Sequence, residues 1–559
     1  MNYNEKYQKW VSKEDLDPAL KAELLSMDET AKEDAFYTDV EFGTAGMRGI
    51  LGAGTNRLNI YVIQKANVAK YIASLPEGKE RGVAIGYDNR HMSYKFAIES
   101  AKVLATYGIK SYIFESLRPT PELSFAVRYL KCAGGIMITA SHNPKEHNGY
   151  KVYDDTGCQL LPEAADQVVQ YVNEVEDELN IKVFSDEEAY PYMTWIGEEV
   201  DEAYYKEVMA IEVNPGMDKS DFKIVFSPQH GTSNIAVRTC LTRLGYDLVP
   251  VLAQCAPDPD FSNTKSPNPE VPASYKLAIK KAKEVDADVV VITDPDGDRL
   301  GVVAKHNGEY VLMSGNQSAA VYLEYILSQM KEKGTLPDNA VMYNTIVTSD
   351  LGELVARSYG VDVEKTLTGF KFIGDKIRKY EQTHEKTFVF GYEESYGCVI
   401  KDFVRDKDAV QAVLTAAEAG NFYKKQGKDL VDVLNELYAK HGTFKETQIA
   451  LSKAGAAGAA RIKEIMDNLR KDAPQEIGGV KVVKVEDYGN STCSDGTTIQ
   501  LPKSNVLKYY LEDGSWIAAR PSGTEPKCKF YFSIKGSDAD DAASKTEVFH
   551  KAMMEIIGE

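Results

Sequence analysis

The clearest strand in this chain is Asp288-Val-Val-Val-Ile-Thr293, and the acidic stretch Asp294-Pro-Asp-Gly-Asp-Arg299 follows it directly. The apolar run is short and does not alternate with polar residues, which is typical of a strand that is buried on both faces. Strands of this kind belong to parallel sheets that lie between layers of helices. We therefore expect an α/β sheet here, with a ligand site where the acidic stretch leaves the carboxyl end of the strand.

This strand closes one of three similar series of strands and helices. Alternation of the two patterns implies mostly parallel sheets that are covered by helices. The predicted strands cover residues 82–87, 110–114 and 135–139 in the first series, 222–226 and 288–293 in the second, and 340–347 and 387–390 in the third. The predicted helices cover residues 93–107, 121–130, 232–244 and 272–284, with further helical segments after Asp350 and after Phe370.

The last part of the chain, from about residue 446, has a different pattern. Strand-like stretches at 480–486 and 528–534 indicate a smaller α+β domain, and the Ala/Gly-rich segment 454–460 fits either a linker or a poorly packed helix start. We expect three similar mixed or parallel α/β domains plus this smaller C-terminal α+β domain, arranged around one central cleft. The predicted domain ranges are 1–205, 206–315, 316–445 and 446–559.

The composition is that of a large protein with several hydrophobic cores. The chain has 559 residues, of which 43% are hydrophobic and 27% are charged, and this length predicts about three or four domains. The formal net charge of −19 argues against a nucleic-acid partner, because binding to a phosphate backbone needs a basic surface. An anionic ligand would have to be met by locally clustered Arg and Lys.

The cysteines and the apolar stretches indicate the compartment. Seven cysteines are scattered along the chain without a C-x-x-C pair or a zinc-ligand spacing, so we expect reduced and mostly structural thiols. The chain starts with a charged amphipathic stretch, and no run approaches the roughly 20 apolar residues of a membrane span. We expect a cytoplasmic protein with no membrane partner.

Three aspartates of the acidic stretch form a candidate metal site. Asp294, Asp296 and Asp298 alternate, so in an extended loop their side chains fall on the same side. Carboxylate oxygens suit Mg²⁺ better than a soft metal that prefers Cys or His. The alternative is an acidic surface turn, which is common for Asp-Gly pairs. We favour the metal site, because three mutually repelling carboxylates after a buried strand need a compensating cation.

Ser141 lies in the loop Thr139-Ala-Ser-His-Asn-Pro144, which follows the last strand of the first series. A lone serine in a turn usually caps the backbone with its hydroxyl. A serine hydrolase is another alternative, because His142 is adjacent in sequence. However, the flanks do not form the G-x-S-x-G pattern, and a histidine next to the serine is badly placed to act as its base.

Two further polar loops complete the pattern. Gly391-Tyr-Glu-Glu-Ser-Tyr-Gly397 follows the last strand of the third series, so three polar loops stand at equivalent strand ends and suggest one shared cleft. Arg520-Pro-Ser-Gly-Thr-Glu-Pro-Lys527 offers a guanidinium, two hydroxyls and a glycine-containing backbone, which could cradle a phosphate. It lacks the spacing of a nucleoside-triphosphate loop, and a polar turn is an equally good interpretation of it.

Taken together, these stretches closely resemble the α-D-phosphohexomutase family and, within it, the phosphoglucomutase branch. The resemblance covers nearly the whole chain, and the joint order of the motifs is highly specific. The matching motifs are Thr139-Ala-Ser-His-Asn-Pro144, Asp294-Pro-Asp-Gly-Asp-Arg299, Gly391-Tyr-Glu-Glu-Ser-Tyr-Gly397 and Arg520-Pro-Ser-Gly-Thr524. Phe42-Gly-Thr-Ala-Gly-Met-Arg-Gly49 resembles the N-terminal signature of the family, and Thr368-Gly-Phe-Lys-Phe372 resembles a loop of its glucose-handling members.

The resemblance implies a role for each matching residue. Ser141 matches the phosphoserine, whose phosphate helps to complete the metal site of Asp294, Asp296 and Asp298. Lys151 matches a proposed general acid/base, which as a base would need cationic neighbours to lower its pKa. Arg48 and His142 are implied in the same catalytic site. The implied substrate-binding residues are Arg299, Thr368, Gly369, Lys371, Glu393 and Ser395, and the implied phosphate-binding residues are Arg520, Ser522, Gly523 and Thr524.

The resemblance also implies a reaction. The phosphoserine gives its phosphate to a small phosphosugar, the bound glucose 1,6-bisphosphate turns around, and the other phosphate returns to Ser141. The enzyme would be a Mg²⁺-dependent isomerase, an intramolecular phosphotransferase that interconverts glucose 1-phosphate and glucose 6-phosphate with glucose 1,6-bisphosphate as activator. Mannose-tolerant relatives carry a histidine where this chain has Gly397, which favours glucose. A phosphopentomutase or another phosphosugar mutase of the family stays open as an alternative.

Overall fold

The structure is a computed structural model that describes residues 1–43, 46–66, 68–453, 455–522 and 526–559, without the side chains at 455 and 456. The chain forms two compact units. The larger unit comprises residues 1–314, 370–391 and 395–427, and the smaller unit comprises residues 315–369, 392–394 and 428–559. The predicted domain ranges stay predictions.

Helices and strands alternate along most of the chain. The α-helices are α1 Tyr3–Val11, α2 Pro18–Ser26, α3 Glu29–Phe36, α4 Ile60–Lys65, α5 Ala69–Ser74, α6 Gly78–Arg81, α7 Ser93–Thr106, α8 Thr120–Tyr129, α9 Pro162–Asn173, α10 Asp186–Ala189, α11 Glu198–Met209, α12 Asn234–Arg243, α13 Lys276–Val285, α14 Gly315–Glu332, α15 Asp350–Ser358, α16 Phe370–Thr383, α17 Ala409–Lys424, α18 Leu430–His441, α19 Gly455–Lys471 and α20 Ala539–Ile557. The strands are β1 Met47–Ile50, β2 Val83–Tyr87, β3 Ser111–Phe114, β4 Gly134–Ile138, β5 His147–Tyr153, β6 Met193–Ile196, β7 Lys223–Ser227, β8 Asp247–Pro250, β9 Val289–Thr293, β10 Leu300–His306, β11 Glu309–Met313, β12 Ala340–Thr345, β13 Asp362–Thr366, β14 Thr387–Glu393, β15 Gly397–Val399, β16 Thr443–Ser452, β17 Glu476–Ile477, β18 Val480–Asp487, β19 Thr492–Cys493, β20 Leu507–Leu511, β21 Trp516–Pro521 and β22 Lys527–Gly536. Short 3₁₀ helices cover Glu178–Asn180, Tyr190–Tyr192, Leu252–Gln254 and Pro272–Tyr275.

The first sheet lies in the larger unit and has the strand order β1-β5-β4-β2-β3-β6. β2 pairs in parallel with both β3 and β4, as the first predicted series requires. Every residue of β2 and β4 is buried, and the helices α7 and α8 both pack against these two strands. The predicted strands and helices of this series are confirmed to within a residue at each end.

The second sheet also lies in the larger unit, with the order β11-β10-β9-β7-β8. All five residues of β9 are buried, and the helices α13 and α17 pack against this strand. A strand that is covered in this way can consist of Val and Ile without alternation, which confirms the interpretation of the apolar run 288–293.

Both sheets are mixed, as the predicted mixed or parallel α/β domains allow. β5 pairs with β4, and β10 pairs with β9, in antiparallel fashion. The cause is the length of the connections, because residues 139–146 and 294–299 are too few for the crossover of about a dozen residues that parallel neighbours need. Residues 139–146, which we call the serine loop, and residues 294–299, which we call the aspartate loop, are therefore hairpin connections that leave the carboxyl ends of β4 and β9.

The smaller unit contains most of the third series. β12 and β13 pair in parallel, and the helices α14, α15 and α18 pack against one another. Helices begin at Asp350 and Phe370, as predicted. The boundary between the units runs through β14, whose last two residues, Tyr392 and Glu393, belong to the smaller unit.

The C-terminal sheet of the smaller unit has the order β16-β22-β21-β20-β18-β17, and β19 pairs with β18. All of these pairs are antiparallel. The helices α19 and α20 pack on this sheet, which confirms the predicted α+β pattern. The segment 454–460 is the start of α19 from Gly455 onward, so the linker interpretation is wrong; Ala454 lies outside the described residues.

The cysteines are free, as expected for a reduced protein. Six of the seven are buried, and Cys493 on β19 is half-buried. Among the described helices, none combines the length and the apolar composition that crossing a membrane would require.

Candidate active site

The aspartate loop between β9 and β10 gathers the three predicted metal ligands in the larger unit. Asp294 and Asp296 are 0% exposed and Asp298 is 2% exposed, and one carboxylate oxygen from each lies within 4.8 Å of the others. Oδ1 of Asp296 and Oδ1 of Asp298 are buried and have no hydrogen-bond partner among the described residues. Buried carboxylate oxygens without donors fit a divalent cation, so these residues could hold a metal ion.

The shape of this loop is fixed by its neighbours. The Thr120 amide donates to the carbonyl of Asp296 over 2.8 Å, and its hydroxyl donates to Asp296 Oδ2 over 3.1 Å. On the other side, both the amide and the hydroxyl of Thr232 donate to the Pro295 carbonyl, over 2.8 and 2.9 Å. Gly297 has φ of +69°, a conformation that glycine adopts without strain.

Two lysines, Lys407, which is buried, and Lys151, which is half-buried, balance the charge of the aspartates. Lys151 Nζ lies 2.8 Å from Asp296 Oδ2 and 3.8 Å from Asp298 Oδ2, and Lys407 Nζ lies 3.1 Å from Asp298 Oδ2. Burial favours the neutral acid of Asp296, but Lys151 outweighs it and lowers the pKa of this carboxyl. Burial and the charges of Asp296 and Asp298 raise the pKa of Asp294 well above its ordinary value.

Ser141 faces the aspartate loop directly. Its hydroxyl donates to Asp294 Oδ2 over 2.7 Å, and its Oγ lies 3.1 Å from Nδ1 of His142. Ser141 has φ of +53°, in the left-handed region that few residues other than glycine adopt. Burial and the nearby guanidinium groups of Arg299 and Arg48 lower the pKa of His142 well below its ordinary value, so its ring is neutral at pH 7.

The two predicted arginines of the larger unit border this group. Arg48 Nη1 donates to Asn143 Oδ1 in the serine loop over 3.3 Å. Arg299 Nη1 donates to Glu270 Oε1 over 2.7 Å, and its Nε lies 3.7 Å from Asp298 Oδ1. Ser141 thus contacts His142 and Asp294, Lys151 contacts Asp296 and Asp298, and the three aspartates join these contacts into one group.

The predicted sugar-binding residues are distributed over both units. In the smaller unit, Glu393 Oε1 accepts a hydrogen bond of 2.8 Å from the amide of Gly369, which has φ of +117°. Thr368 Oγ1 is buried without a hydrogen-bond partner among the described residues. In the larger unit, Ser395 follows β14 and is half-buried, and burial lowers the pKa of Lys371 at the start of α16 to about 8.

The predicted phosphate cradle begins at the end of β21 in the smaller unit. Arg520 pairs with Lys529 of β22 in the sheet register, and the Ser522 amide donates to the Lys527 carbonyl over 2.7 Å. Gly523 and Thr524 lie outside the described residues. The charge of Arg520 acts on Glu394, whose pKa is raised to about 7 by burial and by the neighbouring Glu393.

Four residues near these groups were missed by the sequence patterns: Arg90, Thr120 and Lys407 in the larger unit, and Glu394 in the smaller one. Arg90 follows β2, and a polar residue at the end of a predicted parallel strand was a usable signal. Thr120, at the first position of α8, and Lys407 had none, because their contacts join positions more than 100 residues apart in sequence.

Models of one protein family match four successive parts of the sequence. The description is phosphoglucomutase/phosphomannomutase, with α/β/α domain I at residues 39–179, domain II at 202–308, domain III at 314–441 and the C-terminal domain at 460–551. A phosphoglucomutase of Staphylococcus haemolyticus is 39% identical over 515 residues, which cover 90% of this chain and 92% of that protein. A phosphoglucomutase of Staphylococcus aureus is 39% identical over 523 residues, which cover 92% and 93%.

Solved structures of phosphoglucomutase-type proteins have the same fold as this chain. The open form of pp63/parafusin, a phosphoglucomutase from Paramecium, aligns with a TM-score of 0.69 at 20% identity over 93% of this chain and 97% of that one. A phosphoglucomutase/phosphomannomutase family protein from Burkholderia thailandensis gives 0.67 at 19% identity over 92% and 97%. With its four matched domains and its relatives at 39% identity, the chain belongs to the phosphoglucomutase/phosphomannomutase family, the α-D-phosphohexomutases.

Proposed function

We propose that this protein is a Mg²⁺-dependent mutase that interconverts glucose 1-phosphate and glucose 6-phosphate through a phosphate carried on Ser141. The observation that carries the proposal is the Ser141 hydroxyl, 2.7 Å from Asp294, in front of three buried carboxylates. Staphylococcal relatives at 39% identity are named phosphoglucomutase, which supports glucose phosphates as substrates. The cytoplasmic location inferred from the composition stays a prediction.

Asp294, Asp296 and Asp298 would hold the Mg²⁺, with an oxygen of the phosphate on Ser141 as a further ligand. The unpartnered Oδ1 atoms of Asp296 and Asp298 support this assignment, because Mg²⁺ prefers oxygen ligands and is commonly shared between carboxylates and phosphates. When bound, the ion supplies positive charge that stabilises the phosphoryl group during transfer.

The transfer itself exchanges one phosphorus–oxygen bond for another. The bond between Ser141 Oγ and phosphorus breaks as the free hydroxyl oxygen of the sugar bonds to phosphorus, and the proton of that hydroxyl must reach the serine oxygen. Burial would lower the pKa of Lys151, but Asp296 and Asp298 raise it above its ordinary value. The cationic neighbours that a base would need are thus outweighed by carboxylates. Beside these carboxylates Lys151 is an ammonium before the ion binds, and we propose it as the proton donor to the leaving serine oxygen rather than as a base.

The sugar and the distal phosphate would be held by residues of the predicted loops. Glu393 is a candidate acceptor for sugar hydroxyls, and the unpartnered Thr368 Oγ1 supports a ligand contact beside it. Ser395, Lys371 and Arg299 are proposed as further contacts to the substrate. Arg520, Ser522, Gly523 and Thr524 are proposed to bind the phosphate that is not being transferred, because a guanidinium and hydroxyls suit its oxygens.

A steric observation supports glucose over mannose. A Cβ atom at Gly397 would overlap the side chain of Lys407, so the histidine that mannose-tolerant relatives carry there would require this lysine to move. Lys407 is in turn held by Asp298 at 3.1 Å. A movement of Lys407 that admitted a histidine would therefore disturb its contact with Asp298 in the aspartate loop.

The discriminating experiment compares kcat/KM for glucose 1-phosphate, mannose 1-phosphate, glucosamine 1-phosphate and ribose 1-phosphate, with glucose 1,6-bisphosphate present. We expect glucose 1-phosphate to lead. A dominant activity toward ribose 1-phosphate would assign the protein to pentose phosphates instead.

A second experiment addresses Ser141. Intact mass and peptide mapping before and after incubation with glucose 1,6-bisphosphate should place one phosphate on this residue, and Ser141→Ala should remove both the phosphate and nearly all turnover. Phosphate confined to another residue, or undiminished turnover of the alanine variant, would reject the mechanism. Rapid labelling of Ser141 by a fluorophosphonate probe would favour the serine hydrolase alternative.

A further inference from the structure

Arg90 is buried at the carboxyl end of β2, in the segment that leads into α7. Its side chain and that of Asp88 are both 0% exposed, with Arg90 Nε 3.2 Å from Asp88 Oδ2. Oδ1 of Asp88 accepts a 3.0 Å hydrogen bond from the Arg90 amide and a 2.7 Å hydrogen bond from the Ser93 hydroxyl. The guanidinium is therefore fixed to the β2–α7 connection through a carboxylate that is itself fixed.

The two Nη atoms of this guanidinium donate hydrogen bonds to main-chain carbonyls in and next to the serine loop. Nη2 donates to the carbonyl oxygens of Ser141 and Asn143 over 2.5 and 2.6 Å. Nη1 donates to the carbonyl oxygens of Pro144 and His147 over 2.8 and 3.1 Å. Three main-chain carbonyls of the serine loop and that of His147, the first residue of β5, thus converge on one side chain. The four Nη–H donors of a planar guanidinium can serve all four carbonyls while its charge pairs with Asp88, whereas an ammonium has only three donors.

The loop contributes few internal hydrogen bonds of its own. The Ser141 amide donates to Thr139 Oγ1 over 2.8 Å, the Asn143 amide donates to the Ala140 carbonyl over 3.1 Å, and the His147 amide donates to the Pro144 carbonyl over 3.0 Å. The backbone of Ser141 is left-handed, with φ of +53°, a strained conformation for a non-glycine residue that persists only where its surroundings impose it. Arg90 is the surrounding group that bonds directly to the carbonyl of this residue.

We propose that Arg90, held by Asp88, is a positioning residue for phosphoryl transfer: it fixes the left-handed turn at Ser141 and thereby aims the serine oxygen at the aspartate loop. The inference rests on the proposed mutase function. Arg90 donates to main-chain oxygens of the loop and acts on the reaction only through Ser141. Its removal should displace the serine oxygen rather than remove a group that binds substrate.

The expected kinetic effect follows from this geometry. A displacement of about 1 Å at a reacting atom lowers the rate about 100-fold, so Arg90→Met should lose about that factor in kcat. KM for glucose 1-phosphate should stay within about threefold of the original value, because the proposed sugar and distal phosphate contacts are untouched. Arg90→Lys should recover part of the rate, since an ammonium can bond some of the four carbonyls.

Arg81 provides the matched control at the other end of β2. Its guanidinium also bonds main-chain carbonyls, those of Lys131 and Cys132 over 3.0 and 2.8 Å, and it pairs with Asp155 over 3.1 Å. Arg81→Lys therefore makes the same substitution in the same kind of contact, away from the serine loop. It should change thermal stability without changing the rate of transfer.

The decisive readout is the rate of a single turnover. Phosphoenzyme is prepared with labelled glucose 1,6-bisphosphate, and the loss of label from Ser141 to glucose 1-phosphate is followed per mole of phosphorylated protein. A merely structural role of Arg90 would reduce the amount of phosphoenzyme but not this rate constant. We expect the rate constant to fall about 100-fold in Arg90→Met, to fall less in Arg90→Lys, and to be unchanged in Arg81→Lys.

Asp88→Asn covers the case in which the Arg90 variants do not fold. The amide can still accept the hydrogen bond from Ser93 but loses the charge that orients the guanidinium, so an intermediate fall in the single-turnover rate is expected. Folded variants with unchanged rate constants, or a threefold or larger rise in KM as the main effect, would overturn the positioning role. If the unaltered enzyme neither carries phosphate on Ser141 nor turns over glucose 1-phosphate, it is the proposed function that fails.

Discussion

Replacing Lys151 by methionine should make the folded protein depend on Mg²⁺ for its stability. The Lys151 side chain is 12% exposed, and its ammonium lies 2.8 Å from Asp296, which is fully buried. Removal of one partner of a buried ion pair costs about 3–5 kcal/mol, because the other charge stays buried without compensation. Thr120 still donates to Asp296 over 3.1 Å, so we expect the lower end, about 3 kcal/mol in the metal-free protein.

Mg²⁺ should reverse most of this loss. A cation bound by the aspartates at 100 times its Kd stabilises the folded state by about 2.7 kcal/mol. In the unaltered protein, Lys151 already compensates Asp296 and weakens the attraction of this carboxylate for the ion. We therefore expect Mg²⁺ to bind Lys151→Met at least about tenfold more tightly, a difference of about 1.4 kcal/mol.

Hydrogen exchange in peptides that cover β9 and residues 294–299 is a suitable assay, because it measures opening locally in a protein of several domains. The matched control is Lys219→Met. Lys219 forms another buried pair in the larger unit, 2.8 Å from Glu212 with side chains 8% and 4% exposed, so its loss should destabilise the protein without creating a Mg²⁺ effect. Equal Mg²⁺-induced protection in Lys151→Met and in the unaltered protein would refute the reasoning.

Three further outcomes are expected. The pKa of Asp294 is raised by burial and by Asp296 and Asp298, so the stability that its neutral form contributes is complete below the ordinary aspartate pKa of about 3.9 and is lost as the pH rises through the raised value. Mg²⁺ must displace this proton where Asp294 is protonated, and calorimetry in buffers of different ionisation enthalpy should detect proton release on binding that grows as the pH is lowered; no release at any pH would contradict the raised pKa. Glu393→Gln should lower kcat/KM for glucose 1-phosphate about 10- to 100-fold, because a charge-assisted hydrogen bond contributes about 1.5–3 kcal/mol, while the melting temperature stays unchanged; an unchanged kcat/KM would remove Glu393 from the sugar site. Gly397→His should lower activity toward both glucose 1-phosphate and mannose 1-phosphate, because the new side chain overlaps Lys407. A gain in activity with mannose 1-phosphate would contradict this, because it would show that the Lys407 side chain moves aside without loss of function.

The elements that the sequence predicted best are those whose burial is uniform. β2, β4 and β9 are buried along their whole length, so their apolar runs alone were enough to predict buried strands. β5 was missed because it begins with His147-Asn148-Gly149 and includes Lys151. These residues follow the serine loop directly, and Lys151 contacts the aspartates, so the strand lacks the apolar run of a buried strand.

The site divides in the same way. Asp294, Asp296, Asp298 and Ser141 could be predicted because each lies in a short motif directly after a predicted strand. Lys407 could not, because its proximity to Asp298 depends on how α17 and its preceding segment pack against the second sheet. The direction of the pKa shift at Lys151 could not be predicted either. It depends on the distances of 2.8 and 3.8 Å from this lysine to Asp296 and Asp298, and spacing in the sequence does not give such distances.

The distribution of the thiols makes the protein convenient for spectroscopy. Burial encloses six of the seven cysteines, and it raises the pKa of Cys132 and of Cys528 to about 12, so thiolate is scarce at neutral pH and alkylation at these positions is slow. Cys493 on β19 remains accessible by comparison. A maleimide dye should therefore attach selectively to the C-terminal sheet of the unmodified chain, and its fluorescence can report on that sheet while phosphosugars turn over.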